Sequence, residues 1–377
     1  MLPSLDAQGS LNYWDRALEV KFDPSSPQAV RIRDQLTTQL SLTISQPIAG
    51  QLLEAYHLTK NDQEAVAHDA AQTRIAVAFG AAEAYIRLKQ ASAGAAIART
   101  AVEQVRAQLD QAQAFFRAGV IGRDDLLNVE VAQARAEAKQ LRSEGLVAVA
   151  RTLLLEITGW PVEVPLELAE PFGEPPTSLP CTLEGCVERA LRQRADLKGV
   201  VARIGAAEAY RDLTWWNLAP QLTALGSYQN MQGQSVFMPK NAFFIGGMLN
   251  WNLWGWGRTA YEVKEADQKV VEGRSGLALL RRGVRLEVQQ SHVALEVATR
   301  LLAVAKRAVA QAQEAYRIVG AKYAAQASTT KDLLDAQLAL TRAELLRSNA
   351  LYGWYLARAA LARALGEPPP AVLAAGS

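Results

Sequence analysis

The stretch RIRDQLTTQLSLTISQ, from Arg31 to Gln46, alternates between two chemistries. Ile32, Asp34, Leu36, Thr38, Leu40, Leu42 and Ile44 are mostly apolar, whereas Arg31, Arg33, Gln35, Thr37, Gln39, Ser41, Thr43 and Ser45 are all polar. A period of two marks a β-strand whose faces meet different solvents. Most of the remaining chain reads as long, alanine-rich helix, so a strand of this length needs a reason.

A membrane is one candidate for the second solvent. No run of about 18 consecutive apolar residues occurs, so no transmembrane helix is expected. A barrel strand escapes that test, because its signal is alternation over segments of about ten residues. Of 377 residues, 21% are charged and the net charge is +2, a balance that suggests no nucleic-acid partner. The opening MLPSLDAQGSLNYW lacks the basic start and apolar core of a signal peptide. Either the protein is cytosolic or its true beginning lies upstream.

The chain is internally duplicated. RDDLLNVEVAQARAEA (Arg123–Ala138) aligns with TKDLLDAQLALTRAEL (Thr330–Leu345), displaced by 207 positions. LPSLDAQGSLNY (Leu2–Tyr13) aligns with APQLTALGSYQN (Ala219–Asn230), displaced by 217. The difference places about ten extra residues in the first copy, most simply in the loop RALEVKFDPSSPQAV. The first repeat spans 1–180: a β-hairpin over 3–48, a long helix over 51–117, a tip turn at 118–122, a return helix over 124–158 and a proline-rich connector at 160–180. The second spans 181–377: a helix over 182–216, a β-hairpin over 220–255, a long helix over 258–322, a tip turn at 323–330 and a return helix over 331–366. In its hairpin Phe243, Ile245, Leu249, Trp251 and Leu253 alternate with Phe244, Met248, Asn250 and Asn252. No proline interrupts 48–160 or 240–367, which permits helices of roughly 100 Å at 1.5 Å per residue.

Catalytic signatures are missing from the sequence. Cys181 and Cys186 in CTLEGC match neither a zinc pair nor a redox CxxC; they read as structural, with a local disulfide open to them in an oxidising compartment. His57, His68 and His292 lie far apart. With no nucleophile–base set, phosphate loop or metal cluster, an enzyme is not expected, nor a metal or cofactor.

Strands that face lipid must close into a barrel, and barrels start at about eight strands. One chain offers four, so three copies would supply twelve. The fold expected is therefore mainly α with a small β part, in a trimeric 12-stranded transmembrane barrel continued by a long α-helical barrel. The alternative is a periplasmic or cytosolic coiled-coil scaffold or adaptor without a pore. That reading leaves four alternating segments, placed alike in two repeats, unexplained.

This plan resembles the TolC-like outer-membrane efflux family. The resemblance covers essentially the whole chain and rests on the tips AGVIGRDDLLNVEVAQARAEA and AQASTTKDLLDAQLALTRAEL and the strand-to-helix junctions SQPIAG and WNLWGWGR. It implies a homotrimer in outer-membrane lipid that extends into the periplasm. That trimer would act as the passive exit duct of a tripartite efflux or type I secretion system, with a periplasmic adaptor and an inner-membrane pump as partners. The family also has a signal sequence and a helix before the first strands, so a truncated beginning is expected. By the same resemblance Asp332 and Asp335, three apart and hence on one helix face, line the closed periplasmic aperture with Asp125 and Tyr323. Ser328 stands where the family has an arginine that assists the tyrosine; Arg123 or Lys331 would substitute. The tips Ala118, Gly119, Val120 and Ala325, Gln326, Ala327 would dock the adaptor, with Gln326 at a position where the family commonly has glycine. Trp251, Trp254 and Trp256 are the expected membrane-interface aromatics.

Overall fold

A computed structural model describes residues 3–22, 29–48, 50–161, 164–166, 168, 172–176, 178–234 and 239–369. Residues 23–28 of the loop expected to hold the extra segment, and parts of the connector at 160–180, lie outside the described residues. In chain order the elements are β1 (Ser4–Tyr13), β2 (Leu18–Val20), β3 (Val30–Pro47), α1 (Gln51–Arg117), α2 (Arg123–Thr158), α3 (Leu183–Gln193), α4 (Ala195–Trp216), β4 (Gln221–Gln234), β5 (Asn241–Asn250), α5 (Arg258–Ala324) and α6 (Thr330–Leu365). They group into two compact units: Met1–Val66 with Val200–Leu277, and Ala67–Gly199 with Ala278–Ser377.

The first unit carries the sheet, in the order β1-β3-β4-β5 with β2 alongside β3, and the pairings are antiparallel. Its register turns the period of two into two surfaces. Leu5, Ile44, Gly226 and Ile245 stand in one row across the sheet, and Ala7, Leu42, Tyr228 and Phe243 in the next row on the same face. Asp6, Thr43, Ser227 and Phe244 form the row between them on the other face, where the Thr43 and Ser227 hydroxyls are 3.2 Å apart. The apolar surface is open: Leu5 is 71% exposed and Ile245 78%. Phe244 and Met248, exposed on the polar surface, explain why the second hairpin alternates less cleanly in sequence.

Three details depart from the expected elements. The supposed loop after β1 contains β2. The strand expected to run on through Trp251 and Leu253 ends at Asn250, so neither residue belongs to the alternation. β3 and β4 shift register between Arg33 and Thr38, where Gly233 takes φ +75° and a Cβ would stand 2.2 Å from the Leu36 carbonyl oxygen. Only glycine fits a bulge with both properties.

The second unit is helical. Its cores mix alanine with valine and leucine: Val105, Ala112 and Val129 at one level, Leu302, Ala305 and Ala350 at another, Ala84, Leu88 and Leu154 at a third. Phe172 ties the connector down, stacked on Tyr355 at 4.4 Å and edge-on to Tyr85 and Tyr352. Cys181 and Cys186 form a disulfide at the start of α3, and His292 lies 3.2 Å from the Cys181 carbonyl oxygen. The single helix expected over 182–216 is broken at Arg194, whose ψ of 128° is not helical. Among the described residues no helix is long and apolar enough to cross a membrane.

Candidate functional site

The two hairpin tips share one backbone solution. After α1, the Val120 N–H donates to the Phe115 carbonyl (2.9 Å) and the Gly119 N–H to that of Phe116 (3.0 Å). After α5, the Ala327 N–H donates to the Lys322 carbonyl (2.8 Å) and the Gln326 N–H to that of Tyr323 (3.0 Å). This helix-ending motif needs a left-handed residue, and Gly119 (φ +72°) and Gln326 (φ +58°) supply it at positions 207 apart. Gln326 lacks the freedom of glycine, and the left-handed conformation costs an L-residue about 1–2 kcal/mol. Gln326→Gly is therefore expected to stabilise the second tip by about 1 kcal/mol, read as roughly fivefold slower amide exchange at Ala327. Unchanged or faster exchange would contradict the strain. All six tip residues, Ala118, Gly119, Val120, Ala325, Gln326 and Ala327, are exposed.

The helix starts differ between the copies. Thr329 caps α6: its hydroxyl accepts the Asp332 N–H (3.1 Å), while the Asp332 carboxylate accepts the Thr329 N–H (3.0 Å). The same carboxylate also accepts the hydroxyls of Thr329 (2.7 Å) and Ser328 (3.2 Å). These bonds, those of Thr329 foremost, hold the Asp332 carboxyl below its ordinary pKa. At the start of α2 the equivalent cap is Gly122, which has no side chain to offer, and Asp125 sits half-buried in that first turn.

Asp332 and Asp335 both stand exposed at the start of α6. Asp335 lines a cavity of about 420 Å³ between α1, α2 and α6, shared with Lys331, Arg135 and Lys139. Tyr323, expected in the tip turn, lies instead in the last turn of α5. It is buried, with its ring 5.7 Å from that of Phe115 and its hydroxyl 3.4 Å from that of Thr330. Ser328, where the family pattern has arginine, gives its hydroxyl to Asp332. Arg123 and Lys331 are exposed.

Trp251, Trp254 and Trp256 follow β5. The Trp251 indole N–H donates to the Leu218 carbonyl (3.2 Å); Trp254 and Trp256 meet edge-on at 5.9 Å, and Trp256 is 87% exposed. Sequence reasoning missed their neighbours Trp215 and Trp216, exposed just before β4 at the same end of the sheet. It also missed Trp14 beyond the far end of β1, where the Arg33 guanidinium lies 3.7 Å from the ring and the indole N–H donates to Thr37 (3.1 Å). The doubled WW before a strand was the available signal. Aromatic residues thus bracket strands of ten residues, the length that crosses a bilayer when tilted.

A sheet with an apolar and a polar surface, aromatic residues at both ends, and long helical hairpins define a membrane channel subunit of the barrel type. The family model described as outer membrane efflux protein matches residues 1–160 and 186–367, and the chain belongs to that family. The outer membrane protein VceC of Vibrio cholerae is similar in fold (16% identity over 97% of this chain and 88% of that one, TM-score 0.77). So are the open-state MtrE outer membrane channel of Neisseria gonorrhoeae (18%, 97% and 81%, 0.76) and the CmeC outer membrane channel of Campylobacter jejuni (17%, 97% and 78%, 0.74). No curated protein sequence matches the chain. The protein is thus a TolC-like outer-membrane efflux channel, an exit duct, from a family of channels rather than of enzymes.

Proposed function

We propose that three copies form the duct, each giving four strands to a twelve-stranded barrel in the outer membrane and its helical hairpins to a tunnel in the periplasm. One observation carries this reading: the sheet has an apolar surface, yet among the described residues β1 and β5 end its main path without partners on their outer sides. Open edges are not tolerated in lipid, and four long strands are too few to close. Pairing β5 of one copy with β1 of the next closes both edges of the main path. Two tandem repeats, 1–180 and 181–377, belong to the same reading, supported by the matching tip turns. A detergent-extracted trimer whose gel mobility changes on heating is the expected result. A stable monomer soluble without detergent would overturn the proposal.

The duct works with a periplasmic adaptor that meets the exposed tips and an inner-membrane pump that supplies the cargo. Asp332 and Asp335, with Asp125, ring its narrow end and attract cations. Tyr323 holds this end in shape through Phe115 and Thr330. Asp332→Ala with Asp335→Ala is expected to weaken block by divalent and trivalent cations at least tenfold in planar bilayers, on the order of three lost carboxylate pairs. Thr329→Ala removes the helix cap but keeps both carboxylates, so it should leave block close to wild type. Unchanged block in the double variant would remove these residues from the aperture.

A further inference from the structure

The cavity between α1, α2 and α6 has features that the duct does not require. Its volume of about 420 Å³ falls in the range of small-molecule sites. The floor is hydrocarbon, with Ala98 and Val105 both buried. Arg135, Lys139 and Lys331 supply three cations against the single carboxylate of Asp335. Among the described residues, none of the three cations is in an ion pair. Burial first, then the neighbouring Arg342, lowers the Lys139 pKa, so this ammonium gains from an incoming anion.

Gln337, 3% exposed, lines the cavity, and its Nε2 donates at 3.4 Å to the Ala101 carbonyl and to Gln104 Oε1. Its Oε1 is buried without a donor among the described residues.

We propose that this cavity binds an amphipathic organic anion: an apolar body on the alanine and valine floor and an anionic group among Arg135, Lys139 and Lys331. The walls come from one chain. The probe is 8-anilinonaphthalene-1-sulfonate, which has the apolar rings, the sulfonate and an N–H. N-phenyl-1-naphthylamine has the same body and N–H without the charge. Both are titrated by fluorescence into the full-length protein in lipid nanodiscs, with empty nanodiscs subtracted.

The wild type should bind the sulfonate about tenfold more tightly than the amine, as expected for two or three exposed charge contacts. Arg135→Gln with Lys139→Gln should erase that difference and leave the amine unaffected. Ala132→Leu, which fills the cavity, should weaken both probes. If the double variant fails to fold, the wild-type comparison and the filled variant still decide. Equal wild-type affinities, or sulfonate binding unchanged by filling the cavity, would overturn the proposal.

Discussion

Ile44→Arg is expected to keep the protein from assembling in the outer membrane, whereas Thr43→Arg, one residue earlier, should be tolerated. Ile44 shares its row with Leu5, Gly226 and Ile245, the surface that meets lipid in the proposed trimer. An arginine on the lipid face of a barrel costs about 2–4 kcal/mol near the bilayer midplane. Three copies would carry roughly three times that cost, comparable with the whole stability of a typical domain. Thr43 points the other way, beside Asp6 and Ser227, on the surface that in the proposed trimer faces water able to solvate a guanidinium. The readout is the fraction of protein that is outer-membrane associated and heat-modifiable. Assembly of Ile44→Arg with failure of Thr43→Arg would reverse the two surfaces. Assembly of both at wild-type levels would take the sheet out of the membrane altogether.

The same alternation explains how much of this fold is legible in the sequence. Two solvents impose period two on β1 and β3, and prolines and glycines punctuate the helices, so these elements can be read one residue at a time. Gly119 announces its turn for the same reason. Gln326 does not, because its left-handed conformation is imposed by the helix ending around it. Ser328, Thr329 and Thr330 can each cap a helix, and local sequence does not choose between them. Thr329 caps the helix, Thr330 is buried beside Tyr323, and Ser328 reinforces Asp332. The break at Arg194 was invisible, since QRADLKG contains no proline and its only glycine comes several residues later. The cavity facing Gln337 was invisible too. It exists only because residues near 101, 135 and 337 meet, and no local pattern encodes that meeting.

Arg194→Met should destabilise the helical unit by about 3 kcal/mol, the lower end of the cost of orphaning buried charge partners. The break between α3 and α4 places this side chain inside the unit, 8% exposed, and each arm of its guanidinium is used. Nε and Nη2 donate to the Asp196 carboxylate at 3.1 and 2.7 Å; Nη1 donates to Glu287 at 2.5 Å and to the Ala364 carbonyl at 3.1 Å. Burial alone would lower the arginine pKa, but the bonds to Asp196 and Glu287 outweigh it and raise the value. The charge is therefore held at every physiological pH. One residue thereby ties the end of α6 to α5 and to the start of α4. Methionine keeps the apolar stem but leaves two carboxylates and a carbonyl without their donor. The partners retain some exposure, Asp196 24% and Glu287 37%, which keeps the cost at the lower end of the range. Arg194→Lys should recover only part of it, because one ammonium cannot reproduce a fork that serves three acceptors. Amide exchange at Ala362–Leu365 is the local readout, expected to accelerate on the order of a hundredfold in the methionine variant and less in the lysine variant. Exchange unchanged in both would mean that the apolar contacts of α6 hold its end alone and that the charge network is incidental.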